Sequence, residues 1–244
     1  MNMKKYCLLI LLVLFFAPSA YASASSLQER IESETLKTFG VVDESKMSRE
    51  ETVRYTTFVQ KVKEDYYKEN PEELKHFKAF SPKHKSRDNL LLKGDGGCNE
   101  CGDILISLDQ HTSIFGYDYY HGHAGICGFY YGNTIEANPR KGVTDYTDNY
   151  IERYWRKSST GGRYEVYGAV RRHYVGVRNY AMDKIGTPYG FLPGQEYCSG
   201  LVWRAWASQG IKLTGGITVV TPSQIMNSDK TYRVEKFTGS GVPW

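Results

Sequence analysis

The spacing of hydrophobic positions divides the chain near residue 90. Between residues 23 and about 90 the chain is mostly polar. Within this stretch, apolar residues recur at the spacing of one helix face, at Tyr55, Phe58, Val59, Val62 and Tyr66. Ser48 and Glu51 form a capping box before this run, and Asn70-Pro71 ends it. The pattern predicts a helical N-terminal extension over residues 23–90.

Beyond residue 90, short strand-like runs are mixed with helical runs. Strands are predicted over residues 102–107, 124–131, 134–137 and 164–170, with a hairpin turn at Gly132-Asn133. Helices are predicted over residues 172–185 and 198–209, and Pro222 opens a short last helix. This mixture predicts an α+β domain over residues 91–244, with an antiparallel sheet packed on helices.

The first 22 residues have the features of an export signal. Lys4 and Lys5 precede an apolar run from Cys7 to Ala17, and Ala20-Tyr21-Ala22 fits the small-x-small cleavage rule. The apolar run is too short for a comfortable membrane span. We therefore predict a signal peptide over residues 1–22. The mature protein is expected to be secreted, periplasmic or in the cell envelope, without a stable membrane span.

Charge and cysteine content narrow the function classes. The formal net charge is +4, and the sequence has no basic stripe interleaved with aromatic residues, so nucleic acid is not an expected partner. Signal cleavage would leave four cysteines, at Cys98, Cys101, Cys127 and Cys198. In an exported protein, four cysteines often form two disulfides. Such pairing would consume Cys198 and remove its reactivity.

Cys198 is the candidate nucleophile, because it stands where a Gly- and Pro-rich loop becomes an apolar helix. The amides and macrodipole at a helix start favour a thiolate. No histidine follows Cys198, so its base must lie upstream, and His121 and His123 flank a predicted strand start. A third group should orient the imidazole ring. Glu136 and Asn138 share one face of the next strand, and both remain candidates.

A metal site is the competing interpretation of the same region. Cys98-x-x-Cys101 together with His121-x-His123 would supply two thiolates and two imidazoles, which is a possible zinc set. The H-x-H spacing is not that of a zinc finger, and a local disulfide or thiols suit the cysteine pair better. We therefore expect neither a metal nor another cofactor.

Several motifs together resemble one family of enzymes. The segments GDILIS, GHAGI, TIEANPRKGV, YCSGLVW and VTPSQI occur in this order over about residues 100–228. They are similar to the circularly permuted NlpC/P60 cysteine peptidases, including YiiX-like proteins and relatives of lecithin:retinol acyltransferase. The chain departs from ordinary members at Tyr197, where they carry Asp. The resemblance implies a permuted papain-like domain, which would explain why the base precedes the nucleophile.

The resemblance also implies roles for individual residues. Cys198 would be the nucleophile, His123 the general base and Glu136 the orienting group, with Tyr197 and Ser199 contacting the substrate. The implied activity is hydrolysis of amide bonds, with peptidoglycan stem peptides or another peptide amide as the substrate. Two alternatives keep other chemistry open: a lipid acyltransferase or thioesterase with the same thiol, and a non-catalytic binding domain whose four cysteines are all bridged.

Overall fold

A computed structural model gives the fold of most of the chain. It describes residues 20–43, 46–73, 101–109, 112–114, 117–119, 122–128, 133–147, 150–215 and 219–241. The apolar run at Cys7–Ala17, the segment around Cys98, and His121 lie outside these ranges. The predicted domain boundary at residue 90 also lies outside them.

The centre of the fold is a six-stranded sheet in which every neighbouring pair is antiparallel, in the spatial order β6-β5-β4-β1-β7-β8. Its strands are β1 (Ile104–Ser107), β4 (His123–Cys127), β5 (Thr134–Asn138), β6 (Gly142–Tyr146), β7 (Gly162–Val166) and β8 (Thr231–Lys236). Between β1 and β4 the chain forms a separate two-stranded hairpin, β2 (Thr112–Ile114) and β3 (Tyr117–Tyr119).

Some of the helices pack on one face of this sheet. The helices are α1 (Ala20–Phe39), α2 (Arg49–Glu69), α3 (Tyr150–Arg153), α4 (Arg171–Asp183), α5 (Cys198–Ser208) and α6 (Pro222–Asn227). Alternate strand residues such as Ile106, Ile126 and Ile135 are fully buried in one cluster with Val177 and Leu201 from the helices. The predicted α+β class, with an antiparallel sheet packed on helices, is therefore confirmed.

The opposite face of the sheet carries a smaller apolar cluster. Leu105 and Cys127 project from the strands and pack with Trp155, which lies in a 3-10 turn at Trp155–Lys157. Because side chains alternate across a strand, His123 and Gly125 share this face with Cys127. In the described part of the chain, Trp155 thus covers the face that holds His123.

The predicted elements agree best with the structure around the chemistry-bearing motifs. The predicted 164–170 strand ends early at Val166, since a turn follows in which Gly168 has a φ of +71°. The sequence pattern missed β6 and β8, both of which carry several charged or polar residues. The predicted end of the 124–131 strand falls partly outside the described residues, and the strand itself stops at Cys127.

The N-terminal helices form a hairpin with its own apolar cluster. Leu27 and Ile31 of α1 pack against Tyr55, Val59 and Tyr66 of α2. The capping box is present, because Ser48 Oγ accepts from the Glu51 amide at 3.3 Å while Glu51 Oε2 accepts from the Ser48 amide at 2.8 Å. Among the described residues, no helix has both the length and the apolar composition needed to cross a bilayer.

A buried lysine joins this hairpin to the rest of the protein. The Lys63 ammonium of α2 donates to the carbonyls of Met226 (3.0 Å) and Ser228 (2.6 Å) and lies 3.3 Å from Thr231 Oγ1. Gln60 adds a bond to the Met226 carbonyl at 2.8 Å. Burial lowers the pKa of Lys63 to about 7, although the charge of Asp229 acts in the opposite direction. Sequence patterns do not predict this contact, because a lysine on a polar helix is ordinarily solvated.

We predict that Lys63 makes stability depend on pH. Its pKa is lower in the folded protein than in the unfolded chain, so between about pH 7 and 10 the unfolded chain binds the extra proton and stability rises with pH. From pH 7 to 9 this contribution should grow by about 2 kcal/mol. Denaturant unfolding of wild type and Lys63→Met at several pH values measures it. Lys61→Met, on an exposed position of the same helix, is the control; parallel pH profiles for all three proteins would contradict the prediction.

Candidate active site

Cys198 is the first residue of α5, and its sulfur lies against the start of β4. Tyr197 precedes the helix in extended conformation, with φ −115° and ψ 162°. The sulfur accepts hydrogen bonds from the backbone amides of Ala124 and Ser199 and is hydrogen-bonded to the His123 side chain. The residue is only 5% exposed. Hydrogen-bond donors at the start of α5 and at the start of β4 therefore surround the Cys198 sulfur.

His123 is positioned by the way β4 enters the sheet. Ser107, the last residue of β1, is its cross-strand partner. Gly122 before it has a φ of +85°, and a Cβ there would lie 2.2 Å from the Ser107 carbonyl oxygen. Only glycine fits this approach, so the glycine of GHAGI fixes where the histidine side chain begins.

The residue that orients the His123 ring is identified by its hydrogen bond and not by the strand register. The β4–β5 ladder pairs only Ile126 with Ile135 and Cys127 with Thr134, after which the two strands are no longer paired. Extending that register would place Asn138 opposite His123. Instead, Glu136 Oε2 hydrogen-bonds His123 Nε2, while the Asn138 side-chain oxygen accepts from the Arg140 amide at 2.9 Å.

Glu136 is held in place from its other side. It is fully buried, and its Oε1 accepts from Thr134 Oγ1 at 2.8 Å. Because Nε2 of His123 faces this carboxylate, the other ring nitrogen, Nδ1, is left for Cys198. The three side chains form one continuous hydrogen-bonded series from carboxylate to imidazole to sulfur.

Trp155 supports the imidazole ring and was not identified from the sequence. The His123 and Trp155 rings stack with centroids 5.3 Å apart and an interplanar angle of 19°. Gly125 leaves room for this, since a Cβ there would lie 2.9 Å from Trp155 Cζ2. From sequence alone, a tryptophan that stacks on an imidazole ring cannot be distinguished from a tryptophan that packs in the core.

Tyr189 is a second residue that sequence reasoning missed. Its side chain hydrogen-bonds Cys198, and burial and then the charge of Cys198 raise the pKa of the tyrosine. It belongs to the loop before α5, where it forms an isolated bridge with Glu196. The GTPYGF segment contains this tyrosine, but its position along the loop does not reveal that the ring turns back to the thiol.

Tyr197 and Ser199 flank the thiol, and both are tied to the same residue. The Val220 amide donates to Tyr197 Oη at 3.0 Å, and Ser199 Oγ donates to the Val220 carbonyl at 2.7 Å. Phe191 stacks on the Tyr197 ring with centroids 4.5 Å apart. Both predicted substrate-contacting residues are therefore buried, and their hydroxyls are engaged in holding the start of α5; contact with substrate stays a prediction.

The electrostatics favour a charged pair. Burial alone disfavours a charged imidazole, but the Glu136 carboxylate and the Cys198 sulfur outweigh it and raise the pKa of His123 to about 10. Burial also raises the pKa of the Cys198 thiol, yet the imidazole and the amides of Ala124 and Ser199 bring the net pKa below its ordinary value. Both shifts favour a thiolate beside an imidazolium.

The described residues test one of the two competing uses of the cysteines, the pair of disulfides. Cys101 and Cys198 carry thiols and Cys127 is disulfide-bonded, so the four cysteines of the mature chain do not form two disulfides. Within those ranges no group of three or more His, Cys, Asp or Glu side chains is arranged to hold a metal ion. Cys98 and His121, two members of the predicted zinc set, lie outside them.

No family model, curated protein or solved structure matches this chain. The resemblance to permuted NlpC/P60 peptidases therefore stays a prediction from the motifs, and the geometry of the site stands on its own.

We predict that Cys198 reacts as a thiolate at acidic pH. Its alkylation by iodoacetamide should vary little between pH 6 and 8, whereas an ordinary thiol becomes roughly 10²-fold more reactive over this range. Peptide mapping by mass spectrometry gives the rate for each cysteine, and Cys101 serves as the internal comparison. Replacing His123 with Ala should restore ordinary pH dependence to Cys198. A steep profile for Cys198 in the wild type would refute the charged pair.

We also predict that Glu136, rather than Asn138, sets the acid–base behaviour of the site. Glu136→Gln removes the carboxylate that raises the pKa of His123, so the alkaline limb of kcat/KM should move to lower pH. The value of kcat should fall on the order of 10²-fold, with little change in Tm. Asn138→Ala should leave the pH profile nearly unchanged. Full activity of Glu136→Gln from pH 5 to 9, with an inactive Asn138→Ala, would reverse the assignment.

Proposed function

We propose that the protein is an exported cysteine hydrolase that cleaves amide bonds. The observation that carries this proposal is the buried series of Cys198, His123 and Glu136, with the sulfur at a helix start. A thiol whose pKa is lowered beside an imidazole oriented by a carboxylate is the arrangement that nucleophilic acyl transfer requires.

In the first half of the reaction, the Cys198 thiolate attacks the substrate carbonyl and forms a carbon–sulfur bond. The negative charge moves to the carbonyl oxygen, to which the amide of Cys198 at the helix start and the hydroxyl of Tyr189 would donate hydrogen bonds. The His123 imidazolium then gives its proton to the amide nitrogen as the carbon–nitrogen bond breaks. The amine leaves, and a thioester and a neutral imidazole remain.

In the second half, water hydrolyses the thioester. His123 takes a proton from the water, and the resulting oxygen nucleophile attacks the thioester carbonyl. Collapse of this intermediate expels the thiolate and releases the acid, which restores the starting ion pair. The Glu136 side chain stays hydrogen-bonded to His123 and stabilises the imidazolium each time it forms.

The fold proposed for this site is a permuted papain-like core. Two features support it: the β4–β5 hairpin carries His123 and Glu136 ahead of the Cys198 helix, and that helix packs against the same two strands. The disulfide at Cys127, together with the predicted signal peptide, supports an oxidising location outside the cytoplasm. The motifs indicate peptidoglycan stem peptides as the substrate. A mildly basic protein would be attracted to the anionic cell wall that contains these peptides.

The deciding test is incubation of the purified mature protein with isolated peptidoglycan. We expect wild type to release new amino groups and Cys198→Ala to release none. Cys101→Ser, at the other described thiol, is the matched control and should keep full activity. Mass spectrometry of the muropeptides locates the broken amide. Transfer of an acyl group from phospholipid in place of muropeptide cleavage would instead establish the acyltransferase alternative.

A further inference from the structure

At one end of the sheet, the termini of several strands lie beside the candidate active site. His123 begins β4, its partner Ser107 ends β1, and Gly162 begins β7 opposite Ile106. Lys236 ends β8 opposite Gly162, so these strand termini lie side by side at the same end of the sheet. With neighbouring strands about 4.8 Å apart, Gly162 is about 10 Å and Lys236 about 15 Å from His123 along this end.

A cleft opens between α2 and this end of the sheet. Its volume is about 390 Å³. Side chains from both walls line it, among them Lys61, Glu64, Leu108, Thr160, Arg233 and Lys236. Leu108 lies directly against Gly122, the residue before His123. The cleft therefore begins next to the candidate active site, and the N-terminal hairpin supplies its outer wall.

The lining of the cleft has more positive than negative side chains. Arg233 pairs with Glu64 across it, which ties β8 to α2 and neutralises both side chains. Asp109 is not among the residues that line the cleft, and its carboxylate accepts from the Ser159 amide and hydroxyl and from Thr160 Oγ1. Within the described part of the chain, Lys61 and Lys236 have no ion-pair partner, and both are exposed. Two cations remain for a ligand.

We propose that this cleft binds a carboxylate-bearing part of the substrate, three to five residues from the bond that Cys198 attacks. The proposal rests on the proposed hydrolase function for the position of that bond. An extended peptide advances about 3.3 Å per residue, so the 10–15 Å from His123 corresponds to about three to five residues. The N-terminal hairpin thereby becomes a determinant of substrate choice.

Binding is measured with the full mature chain carrying Cys198→Ala, so that ligand is not consumed. The probes are muropeptides released from peptidoglycan by a muramidase, and the same fragments with their carboxylates converted to methylamides. Reversing both charges, with Lys61→Glu and Lys236→Glu together, should weaken binding of the native fragments about tenfold. Lys212→Glu, at an exposed position outside the cleft, is the matched control and should bind like the parent. The methylamides should bind weakly and equally to every variant.

The outcomes separate the two proposals. Three outcomes would overturn the cleft assignment. Affinity could fall equally in the double variant and in Lys212→Glu, it could fall in neither, or native fragments could show no measurable binding. Turnover of the same fragments by wild type is scored separately. Binding that follows the two lysines without turnover keeps the cleft and rejects the hydrolase. Turnover by wild type, combined with binding that does not change in the double lysine variant, keeps the hydrolase and rejects the cleft. Matching Tm values exclude misfolding as the cause of a loss.

Discussion

The hydrogen bond between the Glu136 carboxylate and the His123 imidazole is the interaction on which the candidate site depends. A carboxylate enclosed at 0% exposure is costly unless a charged and hydrogen-bonding partner accompanies it. The protonated imidazole is that partner, and it in turn stabilises a thiolate at Cys198. Charge thus alternates along three buried groups, and each is tolerated because of its neighbour.

The sheet is built to allow this series. β4 and β5 pair tightly at Cys127 and Thr134 and lose their pairing toward His123, which frees the Ala124 amide for the sulfur of Cys198. Glycine at positions 122 and 125 removes two side chains that would block the strand entry and the Trp155 ring. The local irregularity of the hairpin is what lets a helix from much later in the chain bring its thiol to a strand start.

The sequence predicted the parts of the site that local patterns encode. The helix start at Cys198, the strand that begins near His123 and the common face of Glu136 and Asn138 all follow from periodicity and turn residues. The choice between Glu136 and Asn138 did not, because it depends on where a two-residue ladder stops. Tyr189, Trp155 and Lys63 were missed for a related reason: each acts through a contact between segments distant in sequence.

The groups that lower the pKa of the Cys198 thiol come together only when the chain folds. Apart from the adjacent Ser199 amide, every group that lowers this pKa lies on β4, more than seventy positions earlier. In the unfolded chain these groups are dispersed, and the sulfur is chemically ordinary. Reactivity therefore appears only when the tertiary structure is complete, so a nascent or misfolded copy carries no activated thiol to harm its surroundings. Folding itself is therefore the step that activates the thiol.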